Sequence, residues 1–232
     1  MPFDTAIAAL NYDEHAFAQK HSAKELVEML PNDNFVSFVD IGAGTGFATV
    51  EVKKRFPSAE VTLIDSSSKM LQIAKAKVPD ATIINTDAEI FDFASLHFDL
   101  AIANLSVQWF KNFELFLEKI LAHAKYFAFS VPLKSSFADY MDIFKDVDIP
   151  RMNLYTQNEV LHIIRSSAEI VTAKQLMIAK TYPNAIEACR HFRNIGATIP
   201  INTATQSKIA VILKSHKSPI TLRYDLFLCV TR

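Results

Sequence analysis

Apolar and polar positions alternate along this chain in two rhythms. From Glu14 to Leu30 the apolar residues Phe17, Ala18, Leu26, Val27 and Leu30 fall among charges at roughly helical spacing, and Pro31-Asn32-Asp33-Asn34 breaks the pattern. A short apolar run, Phe35–Val39, then reads as a first strand, and Thr45–Phe56 as a helix closed by Pro57. The alternation continues with a strand over 60–65, a helix over 67–77, a turn at Pro79-Asp80 and a strand over 81–85. A polar linker rich in Phe and Asp, Asp87–His97, precedes a strand at Phe98–Ala103, a helix at about 112–123 and a strand at Tyr126–Val131. Strands separated by ~10-residue helices predict βαβ units and a parallel sheet.

After Pro132 the rhythm changes. Ser135–Phe144 reads as helical and Asp146–Arg151 as a loop. Thr156–Ser166 reads as a helix capped by Thr156, with Glu159 at capping-box spacing. Residues 168–180 alternate as a strand, Pro183–Phe192 and Thr203–Ser215 read as helices, and Ile220–Thr231 is β-rich with Leu222, Tyr224, Leu226, Leu228 and Val230 on one face. The expected fold is α/β: a doubly wound, mostly parallel seven-stranded sheet with a helical lid inserted before the sheet resumes. One domain over 1–232 is expected, divided into an N-terminal helix (1–31), a core (35–131), and lid plus C-terminal strands (132–232).

The chain has four glycines in 232 residues, and three of them, Gly42, Gly44 and Gly46, sit at alternate positions after the first strand. Glycine is needed where backbone takes positive φ or approaches a ligand with no Cβ between, so this is a tight strand-to-helix turn with a helix N-terminus behind it. The spacing is neither G-x-G-x-x-G nor a P-loop, and no Lys-Ser or Lys-Thr follows. Asp40, two positions before the first glycine, would repel a pyrophosphate but suits a cation. The run from Asp40 through Gly42-Ala43-Gly44 to Gly46 resembles the first motif of class I S-adenosylmethionine (SAM) dependent methyltransferases, whose ligand carries an ammonium and a sulfonium.

Two more acidic strand ends agree with that ligand. The strand Val61–Ile64 ends in Asp65, about 20 residues on, where a carboxylate accepts both ribose hydroxyls of a nucleoside. Ser66–Ser68 supply N-cap chemistry for the next helix. The run from Asp65 and Ser66 to Met70-Leu71 is similar to a signature of these enzymes in which the Met packs on adenine. Asp87-Ala88, after the third strand, matches their acidic position facing the adenine amine.

Composition narrows the class only a little. Twenty-four basic against 25 acidic residues give a net charge of −1, no ground for expecting wholesale nucleic-acid binding. Cys189 and Cys229 stand forty residues apart with no CxxC or Cys/His cluster, so free thiols, a reducing cytoplasm and no structural metal are expected. No apolar run approaches the ~18–20 residues needed to cross a bilayer, and no membrane association is expected.

Farther along, Asn104-Leu105-Ser106-Val107-Gln108-Trp109 resembles the N-L-x-V-Q-W run of the malonyl-acyl-carrier-protein O-methyltransferases of biotin synthesis. Tyr12, Ala16 and Gln19 match that family's Y-x-x-x-A-x-x-Q helix; Ile195-Gly196-Ala197-Thr198, with Arg190 and Arg193 before it, matches its I-G-A-T run; and Pro219 to Leu228 match its last strand. The resemblance implies methylation of the free carboxyl of a malonyl thioester on an acyl-carrier protein by a cytoplasmic monomer, with SAM as methyl donor and S-adenosylhomocysteine as product. Tyr12, Gln108 and Trp109 would wall the acceptor pocket, Asn104 would sit beside the methyl group, Gln19 would touch the cofactor, and Arg190, Arg193 or Arg223 would bind malonyl carboxylate or phosphopantetheine. A carboxylate is already ionised at neutral pH and needs no base. Ala122-His123-Ala124-Lys125 departs from the basic-Pro-x-Gly turn usual in such enzymes, implying a tighter connection. The rival readings are methylation of another small acid or quinone precursor, with His15 or His21 as a base, and a SAM-binding regulatory module without catalysis.

Overall fold

A computed structural model describes residues 12–147, 154–197 and 202–232. Most of the loop expected at Asp146–Arg151, the chain start before Tyr12, and Thr198 of the I-G-A-T run lie outside the described residues. Seven strands form one sheet: β1 (Ser37–Ile41), β2 (Glu60–Asp65), β3 (Thr82–Asn85), β4 (Phe98–Asn104), β5 (Ala124–Pro132), β6 (Ile170–Tyr182) and β7 (Ile220–Thr231). Their order is β3-β2-β1-β4-β5-β7-β6. β1 to β5 pair in parallel, while β7 pairs antiparallel to both β5 and β6. The order reverses between β1 and β4, where open α/β sheets leave a crevice at the carboxyl ends of the strands.

Helices α1 (Phe17–Glu28), α2 (Phe47–Arg55), α3 (Ser68–Lys77), α4 (Phe113–Leu121), α5 (Ala138–Asp142), α6 (Gln157–Ser167), α7 (Ala185–Asn194) and α8 (Thr203–Ser215) complete the described fold. Neighbouring residues of the central strands feed opposite faces. Phe38, Leu63 and Leu100 join one buried cluster with Leu26, Val52 and Leu71 from α1, α2 and α3. Val39, Ile64 and Ala101 join a second with Phe116, Leu117 and Ile164 from α4 and α6. This is why the inner strands read as continuous apolar runs: a parallel sheet covered on both faces has no wet side.

The second half departs from the expected pattern at two places. Within Ser135–Phe144 only Ala138–Asp142 is helical, because Phe137 takes a left-handed φ of 64° and breaks the segment into turns. In β7 Phe227 and Cys229 are buried along with Leu226, Leu228 and Val230, since that half lies between two strands under both apolar clusters. A smaller third cluster, Tyr140, Phe144, Ala185, Ala188, Ile220 and Leu222, gathers α5, α7 and the start of β7. The connection from α4 to β5 is tight, two residues long, and Thr156 and Glu159 form the capping box of α6.

Candidate active site

The glycine loop is built by backbone conformations that only glycine takes without strain. Gly42, Gly44 and Gly46 have φ of 65°, 54° and 84°. A Cβ on Gly42 would meet Ser106 Cβ at 2.5 Å, while one on Gly44 would meet nothing within 4 Å. Gly42 is thus pressed against the loop after β4, and Gly44 leaves its backbone open. Gly46 caps α2 and does not line the cavity.

Asp40 is buried below the loop, where Thr49 Oγ1 (2.5 Å) and Thr49 N–H (3.1 Å) both donate to its Oδ2. Burial pushes its pKa up to about 7; the Thr49 hydrogen bonds oppose the rise and the nearby Asp65 charge adds to it. Asp65, at the end of β2, accepts from Gly44 N–H through Oδ2 and from Ser67 N–H through Oδ1, each at 2.8 Å. The carboxylate therefore holds the glycine loop and the start of α3 together while standing in the cavity wall.

One cavity at the carboxyl ends of β1, β2, β3 and β4 brings most of the expected residues together. Asp40, Gly42, Ala43, Gly44, Asp65 and Ser66 line one side. Met70, Asp87 and Ala88 line another, and Tyr12, Gln19, Asn104 and Trp109 complete the wall. Tyr12 stacks on Phe47, with ring centroids 6.1 Å apart, and burial raises its pKa so that the hydroxyl keeps its proton. Trp109 is 38% exposed, an indole left half open at the cavity rim.

Asn104 is fixed from behind. Its Oδ1 accepts from Ser22 Oγ (2.7 Å) and Ser130 Oγ (2.8 Å), and its Nδ2 donates to Gln19 O (2.9 Å). Ser130 Oγ also accepts from Leu105 N–H at 2.9 Å, steadying a residue with φ of 51°. The Gln19 carbonyl, which can only accept, settles which way the amide faces, so its NH₂ edge is turned toward α1.

Gln108 lies off the cavity, its Nε2 donating to Leu105 O at 2.6 Å. Arg190, Arg193 and Arg223 do not line it either. All three are exposed; Arg190 pairs with Glu187 on its own helix, and Arg223 with Asp139 at 3.5 Å. Sequence reasoning missed Thr45, Phe47, Glu89, Leu105 and Ser106 among the lining residues. Glu89 joins two loops by accepting Lys111 N–H and Asn112 N–H, each at 2.9 Å. Thr45 and Phe47, within and directly after the glycine run, and Leu105 and Ser106, within the Asn104–Trp109 run, carried a local signal; Glu89 carried none.

The wall suits SAM. Gln19 Oε1 and Thr45 Oγ1 are buried lining atoms with no hydrogen-bond partner among the described residues. A bare amide oxygen and a carboxylate below the loop match an ammonium donor, and Asp65 and Asp87 offer acceptors to hydroxyls and an amine. A Rossmann-like sheet with a glycine loop at its reversal and acidic strand ends around one cavity defines a class I SAM-dependent methyltransferase.

The comparisons agree on the class. The methyltransferase-domain family matches residues 38–126. Malonyl-acyl-carrier-protein O-methyltransferase 2 of Coxiella burnetii is 28% identical over 223 residues, covering 93% of this chain and 88% of that protein. The malonyl-acyl-carrier-protein O-methyltransferase of Priestia megaterium is 32% identical over 121 residues, 50% of this chain and 44% of that protein. Among solved structures, a putative methyltransferase from Bacillus halodurans superposes with a TM-score of 0.66 at 13% identity over 91% of this chain and 98% of that one. The plantazolicin methyltransferase, solved with S-adenosylhomocysteine, gives 0.54 at 20% identity over 97% and 89%. The chain is a SAM-dependent methyltransferase, similar along most of its length to enzymes named for malonyl-acyl-carrier protein.

Proposed function

We propose that this enzyme methylates the free carboxylate of malonyl-acyl-carrier protein, an early step of biotin synthesis. The observation that carries the reading is the likeness to the Coxiella enzyme over 93% of the chain. In this reading residues 1–232 form a single cytoplasmic methyltransferase domain whose segment 132–232 covers the acceptor.

The cofactor supplies an electrophilic methyl group on a sulfonium. Asp40, Gln19 and the Gly42–Gly46 loop would hold its amino-acid end, Asp65 with Ser66 its ribose, and Met70 with Asp87 and Ala88 its adenine. Asn104 would offer its remaining amide N–H to the reacting groups, while Tyr12 and Trp109, with Gln108 behind the cavity wall, would wall the acceptor and exclude water. An ionised carboxylate attacks without losing a proton, so alignment and desolvation are the protein's main contribution. Arg190, Arg193 and Arg223, all exposed and outside the cavity, suit the phosphopantetheine phosphate or the acidic carrier surface rather than the malonyl carboxylate.

The test offers labelled SAM with malonyl-acyl-carrier protein, malonyl-coenzyme A and free dicarboxylic acids. Strong labelling of the carrier, weakened at least tenfold in kcat/KM by Arg190→Ala with Arg193→Ala, is the expected result. Labelling of a free acid alone removes the carrier and the pathway, and tight SAM binding with no product removes catalysis.

A further inference from the structure

If the exposed arginines do not reach the acceptor carboxylate, other groups must, and the ends of β6, β7 and α7 carry a candidate set. His191 on α7 is buried, 2% exposed, and its Nε2 lies 2.6 Å from Tyr224 Oη on β7. Burial pushes the His191 pKa down to about 4, with Lys180 and His15 adding to the fall, so the imidazole is neutral and carries one proton. Tyr224 is kept protonated by burial. Were Nε2 the protonated nitrogen, both the Tyr224 proton and His191 Nδ1 would lack a partner; with Tyr224 donating to Nε2, only Nδ1–H is left over. That Nδ1 is buried with no partner among the described residues.

A second unpartnered group stands beside it. Tyr182, at the end of β6, has its ring centroid 5.5 Å from that of His191, and its hydroxyl is buried without a hydrogen bond to any described residue. Burial pushes its pKa up to about 12, so it stays a donor. Lys180 Nζ lies 5.2 Å from the Phe17 ring centroid and 5.4 Å from that of Tyr182, and among the described residues no carboxylate pairs with it. The cluster thus offers two buried donors and, at its open edge, one exposed cation. Among the described residues no acidic side chain acts on His191 or Tyr182.

His191, Tyr182 and Lys180 do not themselves line the cavity; the helical turn 12–15 and Phe17 connect them to it. Tyr12 lines the cavity and acts electrostatically on Tyr224, and His15 on the same turn acts on His191. Phe17 packs against both His191 and Tyr224, at 5.2 and 5.6 Å between centroids. Leaving buried donors unmade is costly unless a ligand or water completes them.

We propose that His191 Nδ1–H, Tyr182 Oη–H and the Lys180 ammonium form an oxyanion site that takes the acceptor's carboxylate beside the cofactor cavity. It rests on the reading that the acceptor is a carboxylate. One oxygen is held by the donors and the other is left to attack. A neutral alcohol or amine acceptor gains nothing from the cation.

The test measures acceptor KM, SAM Kd and thermal stability for the wild type, Tyr182→Phe and Lys180→Met, with malonyl-pantetheine as acceptor. In parallel, the His191 ring ¹⁵N signals are followed in the S-adenosylhomocysteine complex as malonyl-pantetheine, its methyl ester, or malonate is added. Each variant is expected to raise acceptor KM roughly tenfold or more, the cost of one charge-assisted hydrogen bond, with SAM Kd unchanged. The His191 signals should move with the two carboxylates and not with the ester. Unchanged acceptor KM in both variants overturns the site, as does a His191 signal that no carboxylate moves. If the wild type turns over no malonyl thioester, the malonyl reading fails while the ring signals with malonate still decide the oxyanion site.

Discussion

At the scale of single residues, Asp40 is the one whose chemistry the fold changes most. It serves two masters: Thr49 at the start of α2, which it braces, and the cationic cofactor. Its pKa in the folded, unliganded protein is raised to about 7 against an ordinary value of 3.8. The folded state therefore binds the proton more tightly than the unfolded chain. That contribution to stability is full below about pH 4 and is lost as pH rises through 7, up to a few kcal/mol. The ligand-free wild type should lose thermal stability between pH 6 and 8 relative to Asp40→Asn, whose amide oxygen still accepts from Thr49. A cation in the cavity favours the ionised form, so SAM affinity should rise over the same interval in the wild type and stay flat in the variant. Melting curves and titration calorimetry across that range check both; parallel pH profiles for the two proteins would show that Asp40 is ionised throughout.

Between elements, contacts distant in sequence complete what local signals begin. The three acidic strand ends were legible because turn chemistry is local: a glycine run after an apolar run, a carboxylate closing a strand, a serine before a helix. Lys77 was not legible. It ends α3, yet its Nζ reaches Asp13 Oδ2 at 2.6 Å, Thr45 O at 2.8 Å and the face of Phe47 at 4.6 Å. One ammonium thereby fastens the turn that carries Tyr12 across the glycine loop. Ser22 and Ser130, which hold Asn104 from positions 82 and 26 residues away, were hidden for the same reason. Arg190 and Arg193 show the limit from the other side, since a charge on a helix tells nothing of which side the helix presents. Because the Lys77 pair is only partly exposed, its removal should be felt at the cavity more than in the fold. Lys77→Met is expected to speed SAM dissociation about three- to tenfold in stopped-flow measurements, with only a small change in melting temperature. An unchanged dissociation rate would mean the turn is held by the Tyr12–Phe47 stack alone.

For the whole molecule, the distribution of buried apolar residues sets what opens first. The two large clusters share the central strands, so β1, β4 and β5 cannot lose one face without exposing the other. The third cluster has no such backing, and α8 buries no residue fully, touching that cluster through Ile209, Ile212 and Leu213. Elements with few buried contacts open in smaller cooperative units than the core. In native-state hydrogen exchange the amides of α8 should therefore exchange well before those of β4 and β5, which should wait for global unfolding. SAM at a hundred times its Kd adds about 2.7 kcal/mol to any opening that releases it. Protection of the core strands should rise by that amount and protection of α8 should not, because α8 can detach with the cavity intact. An acceptor bound at His191 and Tyr182 touches α7 and the β6 end directly, so its addition should slow exchange in α7 beyond the effect of SAM. If α8 exchanges in step with β4, residues 203–215 belong to the cooperative core; if the acceptor leaves α7 unprotected, the carboxylate is held elsewhere.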